Sequence, residues 1–158
     1  MVEKKKYFRF LPLLGGVIAL MIAFIASIPL GSSVIISFHI LESSGIYQYI
    51  WGIVESGVIW FGFTSITADN VVPLVLWIFL LVAAICGIIG MSYKENPKSM
   101  KKLLLIGGFM VTIEFGYFTT LYFLNFGTYT LGFGYYGLIL ILFLYFLSAG
   151  LVTDYQKI

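Results

Sequence analysis

Four apolar runs, at about residues 10–29, 72–91, 102–124 and 133–153, constrain this chain more than any other feature. A run of about 20 apolar residues matches the hydrocarbon thickness of a bilayer, and inside lipid only helices and closed barrels satisfy their own backbone groups. The sequence therefore predicts an all-α membrane bundle of four helices. Its content is 61% hydrophobic and only 10% charged, with mean hydropathy +1.05, so lipid rather than water is the expected solvent. With 158 residues the chain has room for one such membrane domain, 1–158, and no second soluble one. The first run is preceded by Lys4, Lys5, Lys6 and Arg9 and superficially resembles a signal peptide. Its apolar stretch is longer than the roughly 7–15 residues usual in a signal, so an uncleaved first helix is expected.

Orientation follows from the basic residues. All nine Lys and Arg fall at the N-terminus, between the second and third runs (Lys94, Lys98, Lys101, Lys102) or at Lys157. The segment 31–70 carries only Glu42, Glu55 and Asp69, and the link 125–131 is uncharged. The positive-inside rule then places both termini and the middle loop in the cytoplasm of a multi-pass cell-membrane protein. Residues 46–66 are apolar enough to imitate a fifth crossing, but a fifth crossing would split the basic clusters between two sides. The same clustering beside membrane segments argues against nucleic acid as a partner.

The outer loop 31–70 is too rich in Ile, Val, Phe, Tyr and Trp for a solvated linker. Val34, Ile36, Phe38 and Ile40 alternate with Ser33, Ile35, Ser37 and His39, approximately the period of a strand over 33–42. Turn chemistry at Glu42-Ser43-Ser44-Gly45 and Glu55-Ser56-Gly57 separates two further runs, 46–54 and 58–67, rich in β-branched and aromatic residues. A three-stranded antiparallel β-meander is expected, with Tyr47, Tyr49, Trp51 and Ile53 on one face. The alternative is that the first helix continues to about Ile40 and an amphipathic helix lies at the interface. Ahead of the second run, Asp69 and Asn70 stand where caps belong and Pro73 falls in the first turn.

Four helices, cytoplasmic termini and a long first outer loop containing Trp51 and the run Gly57-Val58-Ile59-Trp60 resemble the claudin-like tetraspan membrane proteins. The cysteine pair of that family's first outer loop is absent, since Cys86 is the chain's single cysteine and lies in the second run. The resemblance implies an outer sheet that mediates lateral assembly and cell contact.

Among residues able to carry chemistry, Glu114 is the sharpest, because it lies about 12 residues into the third run, near mid-bilayer. A carboxylate at that depth costs at least about 2.5–3.5 kcal/mol when charged, so a neutral acid facing other helices is expected. It is read either as a proton or cation site, or as a structural acid hydrogen-bonded across the bundle with Tyr145 as partner. Helical spacing puts Gly107, Met110, Val111, Tyr117 and Phe118 on its face, which suits a packed seam. His39, the lone histidine, cannot make a metal or haem site unaided. Cys86 in an apolar helix is an inert packing residue. Ala83 and Gly87 have the spacing of close helix crossings, and Gly132-Phe133-Gly134 lacks the strand and basic partner of a nucleotide loop. One His, one Cys and seven scattered carboxylates assemble no nucleophile with a base and no paired acids. No enzyme and no cofactor is expected. The expected role is a structural or interaction subunit, self-assembled as a homo-oligomer or part of a larger membrane complex. Its outer aromatics Tyr47, Tyr49, Trp51 and Phe61 would form the contact surface. A proton- or cation-conducting oligomer or carrier using Glu114 is the alternative.

Overall fold

The computed structural model describes residues 10–25, 27–29, 35–56, 58–61, 68–92 and 97–154. Four helices dominate it: α1 (Phe10–Phe24), α2 (Ala68–Ser92), α3 (Pro97–Leu124) and α4 (Phe133–Asp154). Seven short strands lie in the connections: β1 (Ser27–Pro29), β2 (Ile35–Ser37), β3 (Leu41–Ser43), β4 (Ile46–Tyr49), β5 (Gly52–Glu55), β6 (Val58–Phe61) and β7 (Thr130–Leu131). Segments 71–91, 98–124 and 133–152 of α2, α3 and α4 are long and apolar enough to cross a membrane, which marks this as a membrane protein, while α1 is apolar but shorter.

Helix boundaries follow local chemistry. The first helix stops at Phe24 instead of running to Pro29, and Ser27–Pro29 pair as a strand, consistent with the extended backbone that Pro29 favours at Ile28. In α2 the helix starts at Ala68, so Asp69 and Asn70 fall inside its first turn rather than capping it, and Pro73 lies within the helix. Pro97 opens α3, where a missing backbone donor costs least. The helix therefore begins before Lys98, Lys101 and Lys102 and carries them on its first turns.

Neighbours pack in sequence order, and α1 also packs on α4, so the four helices form a closed ring. Each contributes one buried stripe. On α3 this is Leu104, Gly107, Val111, Glu114 and Phe118, and on α4 it is Leu138, Ile141, Tyr145 and Ser148. The opposite faces carry exposed Phe109, Phe143 and Ile85, as a lipid-facing surface requires. At the crossing of α1 and α2 the backbones nearly touch: a Cβ built on Gly16 would lie 2.8 Å from the Ala84 carbonyl oxygen, and one on Gly87 would lie 2.6 Å from that of Pro12. The Ala83/Gly87 pair thus lies at a close crossing. Trp77 closes the other end of this contact by donating its indole N–H to the Ala23 carbonyl at 3.0 Å.

One end of the bundle is capped by strands. β1 and β2 form an antiparallel pair, and a five-stranded antiparallel sheet runs in the order β6-β5-β4-β3-β7. The expected antiparallel meander is present in finer pieces. The run 33–42 is divided between β2 and β3, because the chain turns a corner where the His39 and Ile40 carbonyls accept from the Gly134 and Gly132 amides. The run 46–54 is two strands, since Tyr49 pairs with Gly52 around a two-residue turn, Ile50-Trp51. The expected turns at Ser44-Gly45 and after Glu55 are present, with Ser44, Gly45 and Ser56 at positive φ of 48°, 83° and 50°. The end of the third expected strand, 62–67, lies outside the described residues. β7 was not expected; it joins the α3–α4 connection to the α1–α2 connection by pairing with Leu41 and Glu42.

Candidate functional site

Two polar groups stand out in an otherwise apolar molecule. The first is Glu114, fully buried on α3, whose two carboxyl oxygens have no hydrogen-bond partner among the described residues. Thr119 Oγ1 and Tyr135 Oη meet at 2.8 Å toward the sheet end, and Gly107 packs on Tyr145 toward the other. Glu114 lies between these two levels of the α3–α4 contact, where Leu138 and Ile141 fill the facing stripe. An ionised group would have no counter-charge there among the described residues, whereas a neutral carboxyl is tolerable.

Tyr145 is not its partner. Its hydroxyl donates to the Ala83 carbonyl of α2 at 2.6 Å. Seven residues along α3, about 10 Å at 1.5 Å per residue, separate its contact Gly107 from Glu114. The ring is accommodated at this level by a glycine from each of the other three helices. A Cβ on Gly15 of α1 would meet Tyr145 Cε1 at 2.5 Å, one on Gly107 of α3 would meet Cε2 at 2.8 Å, and one on Gly87 of α2 would strike the hydroxyl. Cys86 is a free, buried thiol packed beside Gly107.

The second group lies where the sheet meets the helices. His39 Nδ1 is 3.0 Å from Ser37 Oγ, which is 2.8 Å from Tyr49 Oη, and His39 Nε2 is 3.6 Å from a Glu42 carboxylate oxygen. The imidazole also meets the rings of Tyr47 and Tyr49 edge-on, with centroids at 5.2 and 6.3 Å. Gly132 and Gly134 form its seat: a Cβ on Gly132 would strike the imidazole, and one on Gly134 would overlap the backbone of Phe38 and His39. Burial lowers the His39 pKa from its ordinary 6.5, against a smaller upward pull from Glu42. Period-two spacing placed Ser37 beside His39, but Tyr49 and the two glycines required the strand register to find.

The aromatics expected to form a contact surface are mostly inward. Tyr49 and Trp51 are 7% and 6% exposed, stacked with centroids 4.7 Å apart, and belong to the core. Tyr47 is half-buried against that core, and the side chain of Phe61 lies outside the described residues. The reason is the turn at Ile50-Trp51, which folds the expected aromatic face back on itself. Among the described residues the exposed large apolar side chains on the sheet are instead Ile53 and Val58, at 39% and 52%. Among the described residues no three His, Cys, Asp or Glu side chains gather as a metal site would need. Compared with known protein families, curated proteins and solved structures, the chain matches none.

Proposed function

We propose that this protein is a non-enzymatic, four-crossing subunit of the cell membrane with both termini cytoplasmic, which acts by binding copies of itself or a larger membrane complex through its outer sheet. The observation that carries this reading is the outward pair Ile53 and Val58 on neighbouring strands β5 and β6. Natural sheet edges are usually blunted by Lys, Pro or a bulge, and β6, Val58-Ile59-Trp60-Phe61, contains no charge and no proline. An apolar strand at the edge of an outer cap suits a protein contact better than water. The lateral assembly implied by the claudin-like resemblance is of the same kind.

Replacing Ile53 and Val58 together with Ser tests it. Thermal stability should be almost unchanged while self-association or co-purification with the complex weakens. Trp51→Ser is the contrast, because removing a buried Trp costs about 3–5 kcal/mol and should unfold the cap. Normal assembly of the double variant overturns the reading.

The buried carboxyl of Glu114, without a hydrogen-bond partner among the described residues, favours a second reading, a proton- or cation-conducting oligomer or carrier. Glu114→Gln should then fold normally and abolish a flux measured in vesicles. A purely structural acid predicts that folding and assembly survive in the Gln variant, that no Glu114-dependent flux exists, and that Glu114→Lys disrupts the bundle.

A further inference from the structure

We propose that His39 is an acid-sensitive latch: its neutral imidazole fastens the sheet to the start of α4, and protonation loosens that joint. The ring lies so close over Gly132 that even a Cβ there would strike it. Its backbone carbonyl and that of Ile40 accept from the Gly134 and Gly132 amides, at 2.9 and 3.0 Å, and its imidazole lies against Gly132 itself. His39 thus stands at one end of the joint between the α1–α2 and α3–α4 connections, which continues into the pairing of Leu41 and Glu42 with Leu131 and Thr130. Among the described residues the groups facing the ring are Ser37 from β2, Glu42 from β3, and Tyr47 and Tyr49 from β4, with Gly132 against it just ahead of α4. Glu42 is thus the one carboxylate at hand among the described residues. It stands 3.6 Å away with its side chain 36% exposed, where water competes for it.

A second proton on the ring has two consequences. The new cation is partly removed from water with only that weak counter-charge. Both ring nitrogens also become donors, so Nδ1 then donates to Ser37 Oγ, and the Ser37–Tyr49 hydroxyl contact must accommodate that direction. Tyr49 is stacked on Trp51, so the change reaches the core of the cap. The sign follows from the lowered pKa: the contribution of neutral His39 is complete above 6.5 and is lost as pH falls below that value toward the folded-state pKa.

The test uses the full chain in lipid nanodiscs. Because the chain has one histidine, a tag-free, histidine-labelled sample gives a single imidazole resonance whose titration can be followed directly. Hydrogen exchange over residues 38–49 and 130–136, corrected for intrinsic rates, is compared at about pH 7.5 and about pH 5. The imidazole should titrate below 6.5, and protection of both segments should fall over the same range. His39→Gln should abolish this dependence. Glu42→Gln, which removes only a half-exposed carboxylate, should retain the fold and move the loosening to lower pH. Equal protection at both pH values overturns the latch, as does acid loosening of His39→Gln to the wild-type extent or an unmoved midpoint in Glu42→Gln.

Discussion

Tyr145 carries the largest of the fully buried side chains, and the bundle is built around it. Gly15, Gly87 and Gly107, one from each other helix, are the complement of its ring and hydroxyl. Two variants should separate shape from hydrogen bonding. Gly15→Val forces a side chain into the ring and should cost about 1–3 kcal/mol or more, whereas Tyr145→Phe removes only the bond to Ala83 and should cost about 1 kcal/mol. Unfolding in a mild detergent series measures both, and equal effects would show that the hydroxyl rather than the fit holds the helices. At this scale the sequence was partly legible. Glu114 announces itself as the one carboxylate inside an apolar run, and its own face, Gly107, Val111 and Phe118, follows from helical spacing. Its relation to Tyr145 does not, because depth along a helix says nothing about which residue of a neighbour has been given room.

Strands were legible where turns carry special residues. Ser44-Gly45 needs two positive φ angles and contains the glycine that allows one of them. Ile50-Trp51 contains none of the usual turn residues and was invisible; its turn is imposed by the burial of both side chains in the cap. The same hidden turn explains why Tyr49 and Trp51, expected to face outward, lie inside. Gly45 has open space around its Cα, so its φ of +83° alone determines the effect of substitution. Gly45→Ala should therefore lower the stability of the sheet by about 1–2 kcal/mol without touching the helices. Exchange in residues 41–49 should rise while helix amides remain protected. A global loss of protection would show that cap and bundle unfold as one unit.

For the molecule as a whole, helix number was the most legible feature, since four apolar runs correspond to four helices around a shared core. Sidedness rests on charge, and cysteine labelling tests it. In a Cys86→Ser background, cysteines at Ser44 or Ser56 should react with an impermeant reagent applied to intact cells, and one at Ser99 should not. Reaction at Ser99 from outside would reverse or renumber the crossings. The pairing of β3 with β7 bears on how such a chain is made. Leu41 meets Leu131 although α2 and α3 are synthesised between them. The ribosome thus releases β3 with one edge open, and its last neighbour arrives only after the third helix has emerged. During that interval the edge can recruit the wrong strand. A chain stalled or truncated before residue 130 is consequently an aggregation hazard, and closure of the sheet reports that synthesis has passed the final hairpin.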